Sequence, residues 1–156
     1  MFYANTSVEL GFIPHSNWTK QIIPLSRLKK IYFQKRKGFA RRFDYKLYNA
    51  LLITKNNPPM FQIIGAMWVT NDIMKIHSEI FASLIGISTV QGGLFHKQGN
   101  FTRHGFVHIF KKSLGDNESN PDLIDVDDHI VRLFADRFRR FSRDKEYVVI
   151  EDIPLF

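Results

Sequence analysis

Between Arg27 and Lys46 the chain carries nine Lys/Arg (27, 29, 30, 35, 36, 37, 41, 42 and 46) and one acid, Asp44. Cations at that density do one kind of chemistry well: they neutralise the phosphates of a polyanion and release its counterions. Lys35, Arg36, Lys37, Arg41 and Arg42 are the first candidates for phosphate contact. A second stretch, GISTVQGGLFHKQ over residues 86–98, has a different chemistry. Gln pairs with adenine and Lys reaches guanine O6/N7, so Gln91 and Lys97 are candidate base readers, with His96 as a further donor. Gly92 and Gly93 allow close backbone approach, and Gly92 joins the base-reading set. Ser88 and Thr89 can cap a helix while offering hydroxyl and N–H groups to phosphate. Arg103 suits insertion in a minor groove or a clamp on phosphate. Its neighbours Thr102 and His104 are candidate phosphate contacts.

Other chemistries are poorly supplied. The sequence has no Cys, which removes Cys-ligated zinc modules, disulfide scaffolds and thiol catalysis. His104 and His108 are four apart, and on a strand that puts them about 13 Å apart, too far for one metal ion. Asp125, Asp127 and Asp128 suggest a metal-dependent nuclease only until their setting is read, which is that of a helix N-terminus. GxxxxGK[ST], GxGxxG and HExxH are all missing. The expectation is a binding protein and not an enzyme, with no cofactor, no metal and no small-molecule substrate.

The 156 residues fit one domain with an added terminal element, and the net charge is +7. That figure averages two unlike parts. Residues 1–112 hold 16 Lys/Arg and 4 Asp/Glu, a net +12, whereas residues 113–156 hold 6 and 11, a net −5. A basic body with an acidic end points to a nucleic-acid partner. No apolar run reaches the roughly 18 residues that span a bilayer. The N-terminus has neither the basic flank nor the apolar stretch of a signal peptide. A soluble chain of the cytosol or nucleus, with no membrane partner, is expected.

These residues need elements to position them. Pro24 opens a basic helix with Leu25, Leu28, Ile31 and Tyr32 on its apolar stripe, closed by Gly38. Residues 39–56 form a second helix with Phe43, Leu47, Ala50, Leu51 and Thr54 on one face, stopped by Asn57-Pro58-Pro59. MFQIIGAMWV is buried as a strand or short helix, with Trp68 in the core. A helix from about Ile73, capped by Asn71 or Asp72, ends at Gly86. Ala82 and Gly86 then shape a tight corner, Ile87 anchors it, and a second helix runs from about Val90 to Gln98 with Gly99 as its C′ residue. Residues 101–112 alternate like a strand, SLGDNESNPD is a loop, and Ile130, Leu133, Phe134, Phe138 and Phe141 mark a last amphipathic helix. Arg137, Arg139, Arg140 and Arg143 sit near its negative end, as dipole or acid partners or as further DNA contacts. The pattern is mainly α with a small β wing: a winged helix-turn-helix with an additional C-terminal helix. It divides into an N-terminal extension (1–24), a DNA-binding domain (25–112), and an acidic loop, helix and tail packed on it (113–156).

Residues 39–105 resemble the initiator-binding domain of protist core-promoter transcription factors. The matching features are Arg41-Arg42-Phe43 with Lys46-Leu47, Gly65-x-x-Trp68-Val69-Thr70-Asn71-Asp72, the Leu84-Ile85-Gly86-Ile87 corner, and the Arg/Gly/Phe-containing stretch Phe101–Phe106. The basic segment Leu25–Lys37 is similar to that family's first helix. The resemblance implies a winged helix that binds double-stranded promoter DNA in the nucleus, with the transcription machinery as a further partner. The residues alone leave two rivals open. One is an RNA-binding module in which Phe101, Phe106 and Tyr32 stack on bases. The other is a protein-interaction winged helix whose basic face meets an acidic partner.

Overall fold

A computed structural model describes residues 3–5, 22–34, 43–87, 94–96, 99–115, 120–140 and 142–145. Its axis is helix α2 (Phe43–Asn56). The expected stripe of Phe43, Leu47, Ala50, Leu51 and Thr54 is buried, and so are Asp44, Tyr45, Lys46, Tyr48, Asn49 and Ile53. A helix covered nearly all round is an interior helix and not an amphipathic surface one. It stops where Pro58 forbids its predecessor the helical conformation; Asn57 sits at φ −146°, ψ 81°.

Ahead of α2, a short hairpin pairs β1 (Tyr3–Asn5) with β2 (Ile22–Pro24). Helix α1 (Leu25–Leu28) follows and relaxes into a π turn over Lys29–Phe33. Leu28, Tyr32 and Phe33 are fully buried, while Ser26, Arg27 and Lys30 face solvent. Asn49 of α2 donates a hydrogen bond to the Tyr32 hydroxyl, tying the segment to the central helix.

After α2 come a 3₁₀ turn (Pro58–Met60), the single-turn helix α3 (Phe61–Ile64) and strand β3 (Ala66–Trp68). Gly65 makes the α3–β3 turn at φ +81°, and a Cβ there would lie 2.5 Å from the backbone nitrogen of Phe81. Glycine is required at that point both by φ and by space. Thr70 turns the chain back: its Oγ1 accepts from the N–H groups of Asp72 and Ile73 (3.3 and 3.1 Å). Strand β4 (Ile73–His77) then pairs antiparallel with β3, and helix α4 (Ser78–Ile85) begins at once. Its N-cap is His77, whose Nδ1 accepts from the Ile80 N–H at 3.3 Å, and not Asn71 or Asp72. Ile73 to His77 therefore form a strand where a helix was expected.

The winged-helix expectation, mainly α with a small β wing and an additional C-terminal helix, is overturned by a four-stranded antiparallel sheet in the order β3-β4-β6-β5. Its fourth member in sequence, β6 (Val131–Asp136), occupies the place of the expected last helix. β6 lies between β4 and β5 (Phe106–Ile109) and bonds to both. The sheet buries both faces. Phe134 joins Met74, Ile76, Trp68 and Phe106 in the large core around α2. Val131 and Leu133 join Val69, Leu123 and Val126 in a second, smaller core on the other side. A strand apolar on both faces loses the period-two pattern that marks half-buried strands, so its apolar residues can fall on helical spacing by chance.

The expected wing strand over residues 101–112 is also divided. Asn100–Arg103 make one helical turn, α5, and only Phe106–Ile109 form a strand. Gly99 is not a left-handed C′ residue; it is the extended N-cap of α5, at φ −80°. The turn reverses at Gly105 (φ +85°), where a Cβ would strike the Phe138 ring at 2.3 Å. A 3₁₀ turn (Lys111–Leu114) follows β5, and another (Pro121–Leu123) precedes β6.

The acids read as a helix N-terminus do other work. Asp127 Oδ1 accepts from the N–H groups of His129 and Val131, both at 2.9 Å, and these bonds hold its carboxyl below the usual range. Asp128 stands at φ +58° and accepts from the Lys111 N–H. Asp125 pairs with the buried Lys75 at 2.9 Å. Together they fix the turn that feeds β6. Among the described residues no three His, Asp or Glu are gathered to hold a metal ion.

Candidate nucleic-acid interface

The corner at the end of α4 is the best-defined part of the candidate interface. Gly86 caps α4 in the left-handed region (φ +74°), and the N–H groups of Gly86 and Ile87 both turn back to the Ala82 carbonyl. Ala82 is fully buried, and Ile87 packs against the large core. Gly86 and Ile87 thus take the roles that the sequence assigns to them, a positive-φ turn and an apolar anchor.

The basic segment is moored to that corner. Gln34 Nε2 donates to the Ser83 carbonyl at 3.3 Å, and the Gln34 side chain lies over Gly86, within 3.1 Å of where a Cβ would be. Residues 35–42, which include Lys35, Arg36, Lys37, Arg41 and Arg42, lie outside the described residues, but both residues that flank them are described. One is Gln34 at the corner. The other is Phe43, whose ring meets Phe81 of α4 (6.1 Å), Phe101 of α5 (5.0 Å) and His104 (5.0 Å). Gln34 thus lies beside the α4 corner and Phe43 beside α5.

Ile87, the last described residue before the second candidate stretch, belongs to the same corner. Ser88, Thr89, Gln91, Gly92 and Lys97 lie outside the described residues. Leu94 is buried in the large core, and the Phe95 ring packs on Phe101 (5.8 Å) and Phe134 (5.2 Å). His96 is exposed, and its carbonyl accepts from Gly99 N (2.8 Å) and Thr102 Oγ1 (3.4 Å). Hence His96, Thr102 and Arg103 are brought together: Thr102 and Arg103 are exposed on α5, and His96 sits against its start.

His104 differs from its neighbours. It is half-buried against Phe43, and its Nδ1 bonds to the Asn100 carbonyl at 2.8 Å. Burial lowers its pKa from the ordinary 6.5, so the ring is neutral at pH 7 and lends no charge to a phosphate. Lys46 is buried as well, which removes it from the solvated basic face.

Sequence reasoning misses two residues that organise this region. Gln34 is a polar residue at the end of a basic run, with no signal to mark it as the mooring point. Arg140 reads as one of four arginines near a helix end. Its guanidinium instead donates to the His104 carbonyl, binds Asp136 at 3.0 Å and lies 3.8 Å from the buried Asp44. Its flat face also covers the Phe106 ring at 5.0 Å. Only the sheet brings residues 44, 104, 136 and 140 together.

Comparison with known families adds a decisive observation. The profile of the family described as "Transcription-initiator DNA-binding domain IBD" matches residues 16–126, well over half of the chain. The chain belongs to this family. No curated protein and no solved structure shows significant similarity to it. Members of the initiator-binding family are DNA-binding domains and not enzymes, so DNA is the partner and the role is a nuclear one. Among the described residues no helix is long and apolar enough to cross a membrane. The matched stretch holds the α4 corner, α5 and β5, and stops just short of β6.

Proposed function

We propose that this initiator-binding domain is the sequence-specific, duplex-DNA-binding part of a nuclear transcription factor and recognises a core-promoter element of the initiator type. The observation that carries the reading is the convergence at one end of the fold. Gln34 and Ile87, the described residues that precede the two candidate stretches, both lie at the α4 corner, and Phe43 and Phe95, which follow them in the chain, both pack on Phe101 of α5. In this reading Lys35, Arg36, Lys37, Arg41 and Arg42 neutralise backbone phosphates, and Ser88, Thr89 and Thr102 add neutral donors. Gln91, Gly92, His96, Lys97 and Arg103 meet the base edges. His104, neutral and tucked under the same turn, supports α5. Its proximity to phosphate is through the turn it holds.

Selection of bound duplexes from a random DNA pool tests the proposal, followed by titration of the winning sequence at several salt concentrations. A single enriched motif is expected, with affinity falling steeply on a log–log plot against salt. Enrichment of no motif, or displacement of duplex DNA by single-stranded RNA of any sequence, would overturn it.

A further inference from the structure

The turn after β6 closes on the turn after α5, and it brings two arginines with it. The Arg137 N–H donates to the Gly105 carbonyl at 2.9 Å. The Phe138 ring lies so close over Gly105 that no side chain fits there. The Arg140 guanidinium donates to the His104 carbonyl and is held by Asp136 and Asp44. Three successive parts of one turn thus grip residues 104 and 105, immediately after Arg103. The clasp is rigid for a physical reason: its central charge is satisfied by two carboxylates and a carbonyl and is largely shielded from water, so it cannot swing out at low cost.

Arg137 and Arg139 stand on this same turn, both exposed. Neither has an acidic partner within ion-pair distance among the described residues, whereas Arg140 between its carboxylates is fully engaged. Arg139 adopts φ +50°, a conformation that L residues other than Asn and Asp seldom take, and it is held there by its N–H bond to the Asp136 carbonyl at 3.1 Å. An exposed arginine with no acid beside it among the described residues, kept in an unfavourable backbone state next to another exposed arginine, is poorly explained by stability alone.

We propose that Arg137 and Arg139 form an additional phosphate-binding site, set beside Arg103 by the Arg140 clasp, so that the strand after the family-matched region extends the DNA footprint. The inference rests on the duplex-DNA reading above. Its ligand is the sugar–phosphate backbone flanking the recognised element. The two guanidiniums contact phosphate oxygens and read no base, so their contribution is independent of sequence. Arg140 is a positioning residue: it touches no DNA and acts through the turn that it fixes.

The test uses the full chain with the selected duplex and a scrambled duplex of equal length. Arg137→Ala/Arg139→Ala should leave the melting temperature unchanged, because both side chains are exposed. It should reduce affinity for both duplexes by the same factor, about tenfold or more at low salt, and lower the salt slope by about two. Lys112→Ala, at the opposite end of β5, should change neither. Arg140→Lys keeps the charge but loses the planar fork. It should weaken binding to both duplexes and lower the salt slope, by no more than the double variant does. Wild-type protein that binds no duplex at all would remove the functional reading itself. Wild-type binding with an unaltered slope in the double variant would overturn this inference alone, as would an equal loss in Lys112→Ala.

Discussion

At the scale of single residues, α5 separates side chains open to solvent, which we propose meet DNA, from side chains that hold the fold. Arg103 and Thr102 point to solvent; Phe101, between the same backbone bonds, is fully buried and stacks on Phe134 with ring centroids 4.4 Å apart. Arg103→Ala should therefore cost about 1–3 kcal/mol of DNA binding, concentrated on the preferred sequence, with folding unaffected. Arg41→Ala should weaken all sequences alike and lower the salt slope by about one. Equal affinity and slope in both variants, read by fluorescence anisotropy, would reject the surface. Phe101→Ala should instead remove about 3–5 kcal/mol of stability, visible as a lower denaturant midpoint. The same division applies to the histidines. Burial lowers the pKa of both His104 and His108 below 6.5. The unfolded chain then takes up protons that the folded one refuses, so stability is greatest above pH 6.5. It declines as pH drops below that value and levels off once the lowered folded pKa values are passed. Melting temperatures between pH 7.5 and 5 should show this limb, and His104→Asn/His108→Asn should flatten it.

At the scale of elements, the sequence was readable where burial has one side and misleading where it has two. The α4 corner follows from Gly86 and Ile87 because each has one local job: positive φ and an apolar anchor. The stop at Asn57-Pro58 is equally local. β6 is not local at all. Ile130, Leu133 and Phe134 sit at helical spacing, yet Leu133 and Phe134 point into different cores, which only the sheet partners β4 and β5 reveal. β4 was absorbed into a helix for a similar reason. Its apolar residues run straight into those of α4, and the boundary is a histidine cap, a residue with no strong capping signature. The candidate site was legible as residue types, since basic, Gln/Gly and Arg103 stretches stand out by chemistry. What joins them, Gln34 and Arg140, is legible only in three dimensions. Val131 offers a direct test of the strand. It falls off the expected helical stripe, but it is buried in the second core. Val131→Ala should cost about 1.5–3 kcal/mol, the value of a buried aliphatic side chain. A loss below about 0.5 kcal/mol, as for a surface change, would restore the helix.

At the scale of the whole molecule, the acidic end is not a counterweight held away from a basic body. Asp125 pairs with Lys75, Asp127 and Asp128 bond to backbone N–H groups, and Asp136 binds Arg140. These four acids are engaged in contacts within the fold. The same wiring makes residues beyond the family match part of the domain. β6 is the only described partner of β5, and it supplies Val131, Leu133 and Phe134 to the two cores. Without it β4 and β5 each lose a full ladder, both cores open, and the α5 turn loses the Arg140 clasp. Those losses exceed the roughly 5–15 kcal/mol that holds a domain of this size together. A chain ended at Val126 should therefore show no cooperative thermal transition and no sequence-selective DNA binding, while the full chain shows both. Calorimetry and a binding titration on the two proteins decide the matter. A cooperative transition in the shorter chain would mean that β3, β4 and the helices form a self-sufficient domain, and that β6 is an addition to it and not its centre.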